Sequence, residues 1–182
     1  MREEMRTSAR QVVRDLDGLV DAVCERSPLH TSYIHGEQHW RAVAEAGLRL
    51  AADTPRADGA VVYLFSLFHD AMRVNEDDDP DHGARAAELV AELHGELFYL
   101  SPDRLDLLIE ACRDHSDARY SDDPTIGACF DADRLNLWRV GKVPELKLLS
   151  TDAAGEDAVQ HWSKSVHGRA RSWAELIKEY SA

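Results

Sequence analysis

Apolar residues recur at intervals of three and four along the chain, and almost no stretch alternates with period two, which predicts helices throughout and an all-α fold. A first helix is expected over 2–24, where Met5, Val12, Val13, Leu16, Leu19, Val20 and Val23 follow that spacing, and Ser27-Pro28 stops it. Further helices are expected over 37–52, 57–73 and 82–97. A fifth begins at Ser101-Pro102-Asp103, with Ser101 as N-cap and Pro102 at the first helical position, and ends near His115. The sixth, over 125–140, is opened by Asp123-Pro124 and closed by Gly141. After Pro144 a short apolar piece (ELKLL) leads into a polar stretch, 151–168, that reads as loop, and an amphipathic helix over 172–180 ends the chain.

Residues three and four apart share one helix face, so a polar residue inside an apolar stripe points at the core. The second helix gives the stripe His39, Val43, Ala46, Leu50, and the fourth gives His82, Ala86, Leu89, Leu93. The fifth gives Leu105, Leu108, Cys112, His115, and the sixth Ile126, Phe130, Asp133, Leu137, Val140. The third helix is apolar nearly all round and ends in His69-Asp70, which makes it the central buried one. A carboxylate there must be paired or bound to a metal to offset its desolvation. One histidine in such a stripe is more often a hydrogen-bonded core residue than a ligand, and His94, with Val90 and Leu97, reads as a packing or surface histidine. Inward His or Asp residues on five separate helices change the balance, because helical bundles build metal sites from facing side chains.

Composition narrows the function. The 182 residues, 44% apolar and 30% charged, suit one soluble domain with a single core. A first helix over 1–28 is expected to pack on a core over 29–150, and 151–182 to belong to the same domain. A net charge of −13 without a Lys/Arg cluster argues against a nucleic-acid polymer as partner. The longest apolar stretch, AVVYLFSLF, is far short of the roughly 20 residues of a bilayer span, and MREEMRTSAR is no signal peptide, so a cytoplasmic protein without membrane contact is expected. Cys24, Cys112 and Cys129 form no CxxC pair and read as small core residues. GxGxxG, P-loop, GxSxG and HExxH motifs are lacking, which argues against dinucleotide oxidoreduction, P-loop chemistry, serine hydrolysis and zincin proteolysis.

The order His39, then His69-Asp70, then Asp133 within DADRL, all on helices, resembles the HD superfamily of metal-dependent phosphohydrolases. HGEQHW, LFHDAM, DHGARAAEL and DADRLNLWRVG all look like HD-domain helices, and the likeness covers 29–142. It implies a single-domain HD-type bundle in which His39, His69, Asp70 and Asp133 bind a divalent metal. Asp131 and Asp133 compete for the last role, since they point about 200° apart on a helix. Asp133 is expected to be the ligand, because its stripe is the central one. Asp131, beside Leu135 and Trp138, is expected in a more peripheral place as a supporting or capping acid. Some HD proteins hold a second metal with two further histidines, whose positions His82 and His115 resemble. Only 12 residues separate Asp70 from His82, across an acidic turn, and the alternative is that both act near the phosphate as acid or hydrogen-bond donor.

The expected reaction is hydrolysis of a small phosphate ester, a nucleotide among the candidates, by attack of metal-bound hydroxide on phosphorus. The donor set suits Mn, Fe, Ni, Zn or Mg without naming one. Arg73, one turn beyond Asp70, and Arg134, after Asp133, are the expected cations for the phosphoryl oxygens, with solvation or pairing to Glu76–Asp79 as the alternative. His82 or His115 would supply the leaving-group proton. His35 is expected to line the entrance. Trp40, Trp138, Trp162 and Trp173 offer stacking surfaces for a base, with core packing expected for at least two. The rival functions are an HD-type di-iron oxygenase, which needs both His82 and His115 as ligands, and a non-catalytic regulatory module. Oligomeric state is open.

Overall fold

The computed structural model describes residues 12–179, and among these every regular element is helical. Helix α1 spans Leu16–Arg26, α2 Glu37–Asp53, α3 Gly59–Phe68, α4 His82–Leu93, α5 Pro102–Asp114 and α6 Pro124–Leu135. Short helices α7 (Asp152–Gly155), α8 (Asp157–Ser163) and α9 (Trp173–Glu179) follow, with 3-10 turns at Leu137–Val140, Leu146–Leu148 and His167–Arg169. No helix among the described residues is long and apolar enough to cross a membrane.

Helix α3 is the axis, as its apolar sequence predicts: all ten of its residues are buried. Asp58 caps it by accepting from the amides of Ala60 and Val61, and Arg104 of α5 grips the same carboxylate at 2.6 and 2.8 Å. Against α3 lies α2, with a face of small residues that lets the backbones approach: a Cβ on Gly47 would stand 2.4 Å from Val62 Cγ1. Helix α6 packs on both, and α4 pairs with α5 across the far side of α3. Leu19 and Val23 of α1 enter the same core, as do Leu176 and Ile177 of α9. Cys112 and Cys129 are buried free thiols, held protonated by burial.

Several helices are shorter than the periodicity predicts. The first is interrupted: Val12 is helical, Val13 bridges to Phe98, and α1 starts at Leu16, where Asp15 accepts from Gly18 N; residues 2–11 lie outside the described ones. The third ends at Phe68, because His69 Nδ1–H donates to the carbonyls of Ser66 and Phe65 and so satisfies the last turn. The fourth ends at Leu93, where His94 turns extended and Gly95 takes a left-handed φ of 88°. The sixth breaks at Asn136, leaving Leu137 half-buried and Val140 exposed, so the outer end of its stripe is not core. Ser101 stands at the N-cap of α5, with Pro102 behind it, but its side chain makes no capping bond.

The largest correction is 151–168, which is not a loop but α7, α8 and most of a 3-10 turn. Its polar residues bond inward: Thr151 Oγ1 caps α7 and Gln160 Nε2 donates to the Ala154 carbonyl. Trp173 packs edge-on against Tyr63 at 5.6 Å and donates to Glu37, fixing α9 to α2 and α3; Tyr180 lies outside the described residues.

Candidate metal centre

Four imidazoles and two carboxylates meet where α2, α3, α4, α5 and α6 converge. His39 Nε2 lies 3.2 Å from His69 Nε2, 3.4 Å from Asp70 Oδ2 and 3.2 Å from Asp133 Oδ1. His82 Nε2 lies 3.1 Å from His115 Nε2 and 3.3 Å from Asp70 Oδ1, and His115 Nε2 is 3.6 Å from that same oxygen. His39, His69 and Asp70 form one group that could hold a metal ion, and Asp70, His82 and His115 form another. Asp70 belongs to both, one oxygen turned to each.

The outer nitrogens set the inner ones. His39 Nδ1–H donates to Asn136 Oδ1 at 2.7 Å, His69 Nδ1–H to Ser66 O at 3.1 Å, His82 Nδ1–H to Asp79 O at 2.5 Å and His115 Nδ1–H to Cys112 O at 2.8 Å. Each acceptor is an oxygen that can only accept, so each neutral ring presents a bare Nε2 lone pair to the centre. Two such lone pairs at 3.1 to 3.2 Å repel unless a proton or a cation lies between them. Ligand atoms about 2.1 Å from one ion stand about 3.0 to 3.4 Å apart at octahedral and tetrahedral angles. The donor set therefore fits a divalent ion in chemistry and in spacing.

Electrostatics agree. Burial alone would raise the Asp70 carboxyl, but the imidazoles of His69, His115, His39 and His82 outweigh it and hold the group well below the usual range. Asp133 is held down in the same way by His39 and His69. Burial drives the His69 pKa down to about 3, keeping the ring neutral. His115 moves upward, because its contacts with Asp70 outweigh its burial.

Local packing explains the convergence. Helices α4 and α5 approach closely at Gly83, where a Cβ would stand 2.5 Å from the Arg113 carbonyl, and this brings His82 to His115. Phe65 stacks on His69 with ring centroids 4.9 Å apart and closes the floor. Of the six side chains, Asp133 alone has appreciable exposure, 23% against 5% or less for the rest, so the centre opens on its side.

Among the residues expected around the phosphate, Arg73 lies at the centre, donating Nε–H to Asp70 Oδ1 at 3.0 Å and reaching the Asp77 carbonyl. Arg134 does not. Its guanidinium donates to the carbonyls of Leu148 and Ala118 at 2.6 Å, lies over Phe130 and lines a separate surface depression with Lys142 and Glu145. His82 and His115 stand as a nitrogen pair on Asp70, with the Ser116 hydroxyl donating to His82 Nε2. His35 lies beside His39, its Nδ1 on Glu76, and Ser32 donates to the same carboxylate. Asp131 is not peripheral: it is fully buried, accepting from Ser150 N, Thr151 N and Thr151 Oγ1. Trp40 and Trp173 are core residues, Trp162 lies under Arg49 and Trp138 under Lys164. His94 stacks on Tyr99, away from the centre.

Asn136 and Arg139 were missed by reasoning from stripes. Both follow Asp133 at steps of three, and that spacing was the available signal. Arg139 donates Nε–H to the Ile34 carbonyl at 2.7 Å and Nη1–H to the Asn136 carbonyl, and the carboxylates of Asp133 and Asp70 act on its charge. No protein-family model, curated protein or solved structure matches the chain.

Proposed function

We propose that the chain is an HD-type metal-dependent hydrolase of a small phosphate ester, holding divalent metal in the two groups that share Asp70. The observation that carries this reading is the turning of four Nε2 lone pairs onto the two oxygens of one carboxylate, each ring locked from behind by an oxygen acceptor. In such sites a divalent ion supplies activation of water at neutral pH and polarisation of a phosphoryl oxygen. His39, His69, Asp70 and Asp133 would hold one ion, and Asp70, His82 and His115 a second.

The rest of the work falls to the chain's own side chains. The buried walls exclude bulk water, which strengthens every charge interaction inside. Arg73 and Arg139 place positive charge by the open side, where negative charge gathers on phosphoryl oxygens during transfer. His35 donates Nδ1–H to Glu76, which leaves Nε2 as an acceptor beside the mouth. This arrangement supports phosphate chemistry over the rival di-iron oxygenase, although the His82–His115 pair meets that rival's requirement as well.

Elemental analysis of the purified protein, with turnover on a panel of phosphomonoesters, phosphodiesters and nucleotides, tests the reading. Two divalent ions per chain are expected, with release of phosphate or an alcohol; Asp70→Asn should abolish both uptake and turnover. Iron with oxygen consumption and no hydrolysis would replace this reading by the oxygenase, and full metal loading without any turnover by a regulatory module.

A further inference from the structure

Arg73 shares the bridging carboxylate with the second metal group. Its Nε–H donates to Asp70 Oδ1 at 3.0 Å, and that is the oxygen turned to His82 Nε2 at 3.3 Å and His115 Nε2 at 3.6 Å. The guanidinium is also anchored by Nη1–H on the Asp77 carbonyl at 3.2 Å, and the side chain is only 14% exposed. A carboxylate oxygen has two lone pairs, so Oδ1 can accept from Arg73 and still face a cation. The cation then meets an oxygen whose charge Arg73 already answers in part. The other group is richer in negative charge, because Asp70 gives it Oδ2 and Asp133 Oδ1 stands 3.2 Å from His39 Nε2. Asp70 and Asp133 are the carboxylates among the six converging side chains, and together they match one divalent ion. With Arg73 beside them, that state already carries positive charge in excess. A second ion adds more in a buried centre, where uncompensated charge is strongly unfavourable. Glu76 bears on Arg73, but it is 41% exposed and bonded to His35 and Ser32. Arg139, on whose charge both carboxylates act, adds to the excess.

We propose that Arg73 makes the Asp70–His82–His115 group the weaker of the two, and that this group fills tightly only together with a phosphate-class oxyanion seated against the Arg73 guanidinium. Asp70 and the Asp77 carbonyl each take one N–H of Arg73, and a guanidinium has five, so others are left for the oxygens of the anion. Such an anion offsets the excess charge that otherwise opposes the second ion. Linkage makes the effect mutual: whatever factor the anion adds to the affinity of the second ion, the second ion adds to that of the anion. The chain thus holds its first ion firmly and assembles the pair around its ligand. That the anion is a phosphoryl group rests on the hydrolase reading above, whereas the charge imbalance rests on Arg73 and the two carboxylates alone.

The test is titration of Mn²⁺ into the chelator-stripped full chain, with the free ion read by electron paramagnetic resonance, in chloride and in inorganic phosphate of equal ionic strength. In chloride, one equivalent should bind tightly and the second more weakly. Phosphate should strengthen the second by about 5–150-fold, the usual span of coupling between two sites, and leave the first nearly unchanged. Both ions expected of the purified protein are then retained in phosphate-containing buffer. Arg73→Gln keeps a hydrogen-bond donor and removes the charge, so it should tighten the second equivalent in chloride and shrink the phosphate effect. Arg73→Lys keeps the charge and should keep the coupling; if the Gln variant does not fold, a Lys variant without coupling overturns the proposal. An arginine with a merely structural role would change stability in both variants and leave the ratio of the two affinities alone. Equal affinities in chloride, no second equivalent in phosphate, or a phosphate effect of the same size in wild type and Arg73→Gln also overturns it. Coupling that depends on Arg73, without turnover of any ester, keeps this inference and removes the hydrolase. Ester turnover with metal binding indifferent to phosphate does the reverse.

Discussion

Asp131 and Asp133 stand two positions apart on α6 and do unrelated work. Asp131 closes the bundle by accepting from two main-chain amides and a hydroxyl, and Asp133 faces the imidazoles. Asp131→Ala should therefore destabilise the fold, by about 1–3 kcal/mol for each amide left without an acceptor, while metal uptake by the folded fraction persists. Asp133→Ala should keep the helix content but lose metal affinity; denaturant melts and metal titration separate the two. Asn136 acts one step further out, fixing which nitrogen His39 offers. Asn136→Ala should cost about 10–100-fold in metal affinity, read by competition with a chelating dye. His167 gives the clearest pH signature. Its pKa falls from 6.5 to about 4 on folding, so between these values the unfolded chain binds more protons and stability rises with pH. His167→Phe should flatten the slope of unfolding free energy against pH across that window; an unchanged slope would contradict the assigned burial.

Helices and their junctions decide how much of this could be read from the sequence. The apolar run of α3, the stripes through His39 and His82 and the position of His115 one turn beyond Cys112 and two beyond Leu108 were legible, because a period of three to four names a buried face without knowledge of what covers it. What escaped lies where a helix stops. Asn136 breaks α6 and uses that break to reach His39, and a periodic pattern carried on to Val140 hides it. The polar segment after 151 gave no stripe at all, because α7 and α8 are too short to show one and their polar groups bond within the segment. The close crossing at Gly83 was equally silent, since a glycine in a helix names no partner. Gly83→Ala should push α4 off α5 and part His82 from His115; loss of one of the two metal equivalents, with the other kept, is the expected result of elemental analysis.

The molecule as a whole carries a net charge of −13, so its long-range field opposes an anionic substrate that the local arginines attract. Added salt screens exposed charges beyond about 8–10 Å and leaves buried ones nearly intact. The apparent kcat/KM for a phosphate ester should thus rise with ionic strength, the reverse of what a basic enzyme shows, and a falling trend would count against the field argument. The six inward side chains come from five helices spread over most of the chain between His39 and Asp133. A cation seated among them behaves as a rivet through helices that come from distant parts of the chain. Cut the backbone at the exposed turn around Asp77 and Asp78, and the fragments should travel as one particle on a sizing column while the ion is in place. A strong chelator should then release them.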